Sequence, residues 1–454
     1  MCARRPLRSV ELLSAIRVDP DSDIVRWSDE VDEDLLLDIC SNLLVLDSQQ
    51  QVWRLSHLSV AEYLEKNHWD LLQAHCYVAG VCLILLTNAS WYYPHIDEEV
   101  FLSTGNMTLS DRGGIEEELV YKPDSVLHPK HPLQIYCRLH WISHTQTQEG
   151  SAVDLALARR LKCFLGSPCK SSAQFELWQR WMHLDGWHQA SFVDAPGGNS
   201  PFWREIEGDV FHAGYAIFTM CRFGFYTLLR DWWTDPAMTI PLEIEIDDLP
   251  LRRDHLLALA AKAGSIPICE ELLKRGMPIN GVNPWGRYGS ALAAAAFFGK
   301  LHVVEFLVEN GADINLPLEY HGSALCAAVY SGESEVVKYL VEKGANVNAT
   351  YRVHGSPLAA AAEKARMGLV EYLVEKGAKV SAPLQNLWYG SALAPAAHSG
   401  AADIVEFLLA KANEDVPFSQ RDLDEALETA SSQGHEEVVE ILLDSGAQLR
   451  PPDS

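Results

Sequence analysis

Residues 289–315 read GSALAAAAFFGKLHVVEFLVENGADIN, and the same pattern recurs three more times downstream. Gly322 to Asn348 reads GSALCAAVYSGESEVVKYLVEKGANVN, Gly355 to Ser381 reads GSPLAAAAEKARMGLVEYLVEKGAKVS, and Gly390 onward reads GSALAPAAHSGAADIVEFLLAKA. Weaker copies flank these four: His255 to Asn280 (HLLALAAKAGSIPICEELLKRGMPIN) and Leu423 to Leu449 (LDEALETASSQGHEEVVEILLDSGAQL). The closing glycines Gly276, Gly311, Gly344 and Gly377 are 35, 33 and 33 residues apart, and Ala412 and Gly446 continue the phase at 35 and 34. Self-similarity at a fixed period of this length marks an array of small stacked units.

Each copy is chemically a helical hairpin. Its first helix is made of Ala and Leu (Leu292, Ala294, Ala295; Leu325, Ala327, Ala328), small side chains that let neighbours approach closely. Its second places Val303, Val304, Leu307 and Val308 on one stripe, matched by Val336, Val337, Leu340, Val341 and then Leu369, Val370, Leu373, Val374. Glu305, Lys338 and Glu371 fall opposite, towards water. Gly311, Gly344 and Gly377 supply the left-handed residue that stops each helix. One such hairpin cannot bury its apolar face alone, so the units must stabilise one another.

The period and the Gly-Ala-Asp-Ile-Asn type of ending resemble the ankyrin family over about 200 residues. The opening departs from that family's Thr-Pro-Leu-His: Gly-Ser-Ala-Leu replaces it, and Pro357 alone retains the proline. Two positions break the internal pattern. Ala365 stands where its neighbours have Gly299 and Gly332, and Ala412 replaces a closing glycine, so strain or a shifted turn is expected at both. The last copy is charged (Glu436, Glu437, Glu440, Asp444), as a terminal unit with one wet face should be.

Ahead of the array the chain reads differently. Ser9 to Ile16 and Asp32 to Cys40 have helical spacing, Leu43 to Asp47 and Val52 to Leu55 flank Ser48 to Gln51 as a hairpin, and Ser56 to Lys66 resumes a helix. Ser59 and Glu62 make a capping box for it. Helix, helix, hairpin, helix is a winged-helix order. The run LLLDICSNLLVLDSQQQVWRLSHLSVAEYLE resembles the winged-helix segment that follows the NACHT nucleotide-binding domain in fungal Nod-like receptors, a segment also known from GPI inositol-deacylase-like proteins. Leu133 to His144 and Leu161 to Met182 are similar to the helical spacer of those receptors, and His212 to Trp233 reads as a degenerate capping repeat. Thr234 to Pro250, with three prolines and five acids, is a linker. The expected fold is therefore mainly α: a winged-helix domain over 1–70, a helical spacer over 71–210, a capping repeat and linker over 211–250, and an ankyrin-repeat α-solenoid of about six copies over 251–450. The resemblance implies the sensor half of such a receptor, with the chain beginning inside the winged helix. No GxxxxGK[ST] occurs, so the nucleotide switch is missing from this sequence.

Charge narrows the function. The 454 residues carry 36 Lys and Arg against 62 Asp and Glu, a net charge of -26. Nucleic-acid binders neutralise phosphates with basic side chains, which excludes DNA, RNA and anionic membrane surfaces as main partners. The winged-helix region itself holds 14 acids to 7 bases, so it would repel phosphate and is expected to face protein. Ten cysteines without a CxxC pair read as reduced, buried thiols of an intracellular chain. The most apolar run, Cys76 to Thr87, spans 12 residues and fits a buried helix rather than a membrane span. The start carries no secretory signal, and the sequons at Asn88, Asn106 and Asn348 are chance matches. The cytoplasm is the expected compartment, with the nucleus left open.

Three constellations carry potential chemistry. Gly166 to Ser171 (GSPCKS) faintly resembles a phosphate loop but lacks the glycine beside Lys170, contains Pro168 and follows a helix. Cys137, His140 and His144 share one helix face in a spacing that permits metal ligation, yet HExxH is absent because Trp141 follows His140; a packed face is the expected outcome. A hydrolase of the inositol-deacylase type would need GxSxG, and none occurs. The reading is thus a non-enzymatic scaffold with no cofactor and no metal. Contact candidates lie in the loops before each first helix: Arg287-Tyr288, Tyr320-His321, Val353-His354 and Trp388-Tyr389 recur in register. Tyr288, His321, His354 and Tyr389 are expected either to stack on the next loop or to meet the partner. Arg287, Tyr320, Trp388 and Trp285 are the stronger docking candidates, because aromatic and cationic side chains dominate binding hot spots. The partner is a protein, with contacts to the remainder of a full-length receptor as the intramolecular alternative. A nucleotide-dependent signalling switch that lacks its NACHT domain in this chain is the alternative function.

Overall fold

A computed structural model describes residues 44–47, 52–55, 71–88, 132–150, 153–186, 216–234, 256–283, 288–353, 355–384, 389–414 and 416–448. The chain divides into two compact units: one comprises residues 1–203, 213–217 and 225–240, the other 204–212, 218–224 and 241–454.

In the first unit, strands β1 (Leu44–Asp47) and β2 (Val52–Leu55) pair antiparallel, with Leu44 opposite Leu55 and Asp47 opposite Val52. This is the hairpin expected from the alternating pattern. The winged-helix helices expected at 9–16, 32–40 and 56–66 lie outside the described residues, as do residues 235–250 of the linker. Helix α1 (Leu71–Asn88) contains the apolar run at 76–87, and Val81 to Leu86 are buried without a break. Among the described residues no helix is long and apolar enough to cross a membrane.

Helix α1 packs on α2 (Pro132–Gln146), α3 (Leu155–Leu165) and α4 (Ala173–Gly186). The spacer segment 161–182 is not one helix. It breaks at Gly166, where β3 (Gly166–Ser167) and β4 (Lys170–Ser171) form a two-residue hairpin. A Cβ at Gly166 would meet Lys170 O at 2.7 Å, so the turn requires a glycine. The GSPCKS loop is thus a tight turn leaving a helix, and not a strand-to-helix phosphate cradle.

Trp141 centres the apolar core of this unit. Its ring meets Phe164 edge-on at 5.1 Å and Trp178 edge-on at 5.4 Å, the offset geometry that aromatic quadrupoles favour. Trp178 Nε1 donates to Arg138 O at 3.0 Å, which satisfies the one polar atom of that ring. Glu149 accepts the backbone N–H groups of Thr227 (2.7 Å) and Leu228 (3.3 Å), closing the turn that precedes α6 (Arg230–Thr234). The segment read as a degenerate capping repeat consists of α5 (Ala216–Phe223) and α6, and the unit boundary passes through it.

The second unit is the array. Its described copies are the helix pairs α7 (Leu256–Ala263) with α8 (Ile266–Lys274), α9 (Ala291–Phe297) with α10 (Leu301–Glu309), and α11 (Ala324–Ser331) with α12 (Ser334–Glu342). They continue as α13 (Pro357–Glu363) with α14 (Met367–Glu375), α15 (Leu393–Ser399) with α16 (Ala402–Glu414), and α17 (Gln420–Gln433) with α18 (Glu436–Asp444). The first helices pack on one another in single file. Ala291 to Ala296 are all buried, because a helix this crowded by two neighbours admits little beyond methyl groups.

The Gly-Ser opening has a structural cause. Ser290, Ser323 and Ser356 each stand at the N-cap and accept the backbone N–H of Ala293, Cys326 and Ala359 at 3.1 to 3.2 Å. Ala365 adopts φ +51°, the one non-glycine residue with positive φ among the described residues, so the strain expected there is present. Ala412 behaves otherwise. Helix α16 runs on to Glu414 with Ala412 buried inside it, so the turn is shifted and no left-handed residue is required.

Candidate docking surface

Each candidate loop is pinched at its base by a backbone hydrogen bond. Asn283 N donates to Gly289 O (2.9 Å), Leu318 N to Gly322 O (2.9 Å), Tyr351 N to Gly355 O (2.5 Å) and Leu384 N to Gly390 O (2.8 Å). These bonds close two longer segments, 283–289 and 384–390, and two shorter ones, 318–322 and 351–355. Neighbouring loops rest on one another through these bases. Gly322 has φ +79°, and a Cβ there would run into the ring of Tyr351, so the glycine permits one loop to lie on the next.

Trp285, Arg287, His354 and Trp388 lie outside the described residues. Of the others, Tyr288 (1% exposed) and His321 (2%) are buried, while Tyr320 is 42% exposed. Tyr288 and His321 belong to adjacent loops and stack face to face, with centroids 5.8 Å apart and planes 9° from parallel. A docking partner cannot reach either ring without displacing the array's own packing. Tyr320 meets His321 edge-on at 4.8 Å and presents its remaining surface to solvent. Tyr389 is half-buried, 6.2 Å from His398, and burial followed by the carboxylates of Glu363 and Glu425 pushes its phenol above the ordinary range.

The structure adds rings that the loop register does not mark. Phe297, Phe298 and Tyr330, from the ends of first helices, join the loop residues in one aromatic row. Phe297 touches Tyr288 (5.0 Å), Phe298 (5.2 Å), His321 (5.2 Å) and Tyr330 (6.4 Å). Lysines close the row at two places. Lys262 Nζ lies 5.2 Å from the Tyr288 centroid and 4.8 Å from Phe298, and Lys364 Nζ lies 4.0 Å above Tyr330 while pairing with Glu363 at 3.2 Å. Cation–π contacts of this kind contribute about 0.5–2 kcal/mol each, more where water is excluded, which is why a lysine as buried as Lys262 is tolerated. The signal was present in the sequence as a vertical column: Lys262, Phe297, Tyr330, Glu363 and His398 occupy one repeat position. Reading loops alone misses it.

The face of Cys137, His140 and His144 is a packed one. Both ring nitrogens of His144 are engaged: Nε2 with the Tyr136 hydroxyl at 2.8 Å and Nδ1 with His75 Nδ1 at 2.7 Å. No lone pair on His144 is left for a metal. Among the described residues no group of three or more His, Cys, Asp or Glu side chains is placed to hold a metal ion. What the aromatic row offers is non-covalent: ring edges, one exposed phenol and flanking charges.

An ankyrin-repeat family model matches this region three times, over residues 257–351, 317–383 and 358–453. The solved ankyrin repeat domain of human ASB11 aligns with 44% of this chain and 86% of its own, at 26% identity and a TM-score of 0.36. No curated protein matches the chain. Residues 257–453 are ankyrin repeats.

Proposed function

We propose that this chain is a non-enzymatic docking protein that binds a partner protein along the aromatic row and loop tips of its repeats. The observation that carries the reading is Tyr320. It is a large aromatic side chain held edge-on by a buried histidine, with much of its surface in water. A fixed aromatic loses little conformational freedom on binding, which is the property of a hot spot. Trp285, Arg287, His354, Trp388 and Tyr389 complete the contact set by their register with it. The partner acts in the cytoplasm, where reduced cysteines such as Cys326, its thiol pushed up to about 12 by burial, stay inert.

The finer context is the sensor half of a Nod-like receptor relative, in which the repeats recognise the partner and the N-terminal region relays it. Its support is the LLLDIC…AEYLE resemblance together with the β1–β2 hairpin. The test is affinity capture with the full chain, repeated with Tyr320→Ala and Trp388→Ala. Both variants are expected to lose a captured protein at unchanged melting temperature. Loss of affinity and stability in proportion, or capture unaffected by either change, overturns the proposal.

A further inference from the structure

Successive copies of the array are tied by side chains as well as by apolar packing, and the ties recur with the repeat. At the turns after three of the second helices an asparagine reaches the next copy. Asn280 Oδ1 accepts from Asp313 N, Asn315 Oδ1 from Asn346 N, and Asn348 Oδ1 from Lys379 N, all at 2.8 Å. Asn315 and Asn348 also donate forward, to Gly344 O (3.2 Å) and Gly377 O (2.8 Å). At the start of the second helices a long side chain reaches back. His302 Nε2 lies 3.0 Å from Gly264 O, Arg366 Nη2 donates to Ser331 O at 3.4 Å, and His435 Nε2 lies 3.1 Å from His398 O.

Each other joint carries at least one of these two kinds of tie, whereas one joint carries neither. Between the copy at 355–381 and the copy beginning at 390, Ser381 stands where the others have Asn280, Asn315 and Asn348, and it is too short to span the gap. Ala401 stands where two other copies have Arg366 and His435, and Asp403 where the second copy has His302. On the far side Ser391 does not cap its helix. Its hydroxyl is buried without a hydrogen-bond partner, and α15 begins one residue late behind Ala392. An unmade buried hydrogen bond at the contact weakens the attachment. Ser399 Oγ donates to Ala362 O across the joint at 3.0 Å.

The copy beyond the joint is bound forward instead. Gly390 N donates to Glu425 Oε1 at 2.8 Å, and His435 clasps His398, so the last two copies hold each other. We infer that residues 390–448 form a separate cooperative unit that opens from the rest of the stack at this joint, while copies up to 381 stay assembled. This inference stands apart from the identity of any docking partner.

Native-state hydrogen exchange of the full chain, read by mass spectrometry, tests it. Amides of α15, α16, α17 and α18 are expected to share one opening rate, at least about tenfold faster than those of α11 and α12. A variant carrying Ser381→Asn and Ala401→Arg supplies both missing ties and is expected to slow that shared rate about tenfold, leaving α11 and α12 unchanged. Ser381→Asn alone should slow it about threefold to tenfold, which keeps the test in reach if the double change misfolds. Protection that falls steadily towards residue 448 with no step at the joint signifies end fraying and overturns the inference. So does equal protection on both sides, or a shared rate that neither variant alters.

Discussion

Asp154 illustrates how one side chain sets a helix boundary. Its carboxylate accepts the backbone N–H of Leu157 at 2.8 Å at the N-cap of α3. That hydrogen bond, ahead of a smaller opposing burial effect, holds its pKa below the ordinary aspartate range. A depressed folded-state pKa means stability that is present above the unfolded value and lost as pH falls through the folded one. Asp154→Ala is expected to cost about 1 kcal/mol at neutral pH and to converge with the parent chain in strong acid, by urea unfolding at a series of pH values. Glu149 runs in the opposite sense. Burial raises its pKa in spite of the Thr227 and Leu228 hydrogen bonds, so its protonated form is favoured by folding and the associated stability declines as pH rises through the raised value. Glu149's role was not legible beforehand. An acid before an apolar helix suggests a cap, whereas Glu149 meets its partners some 78 residues away.

Among the elements, both rows of helices carry the array's apolar seam and the turns carry its polar one. Leu340 is fully buried between neighbours, and Leu340→Asp should abolish cooperative unfolding by burying a charge without a partner. Circular dichroism melting of the full chain checks this. Asn348→Ala removes a donor to Gly377 O and an acceptor for Lys379 N in one step, at an exposed site. It is expected to lower stability by about 1–2 kcal/mol while leaving helix content unchanged, measured by urea titration. The helical stripes that place Leu340 were readable from spacing alone, because burial on one helix face imposes a period of 3.6. The asparagine ladder and the break at Gly166 were not. A hydrogen bond between copies depends on the distance between two turns, and the Gly166 turn depends on how closely α3 and α4 approach.

At the scale of the molecule, charge is unevenly placed along the array. Residues 401–448 hold twelve acids against Lys411 and Arg421, whereas residues 256–400 hold twelve of each sign. The last copy shows why the acids are tolerated: Glu428 is exposed at the repeat position where Ala293, Cys326, Ala359 and Ala394 are buried, since no further copy covers it among the described residues. With a net charge of -26, self-repulsion is expected to lower the melting temperature at low ionic strength. Raising salt from about 0.01 M to about 0.15 M shortens the screening length from about 30 Å to about 8 Å and should raise it by a few degrees, read by calorimetry. A melting temperature indifferent to salt would show that the acids are already neutralised by their local partners.

By itself the sequence determined that residues 255–449 repeat, that each repeat is a helical pair, and which side chains line its buried stripe. Those properties follow from spacing, since a short hairpin can be stable only if its apolar stripe meets the same stripe in the next copy. The tertiary structure decided which members of a repeated column are buried and which are left in water. Tyr288 and Tyr389 hold one position of the loop register, yet the first is buried inside the array and the second is only half-buried. It also decided that Ala365 keeps a left-handed turn while Ala412 dissolves into a longer helix. The physical reason is the same in each case: exposure and backbone strain are set by what the neighbouring copy presses against a residue, and that is a property of the stack rather than of any one copy.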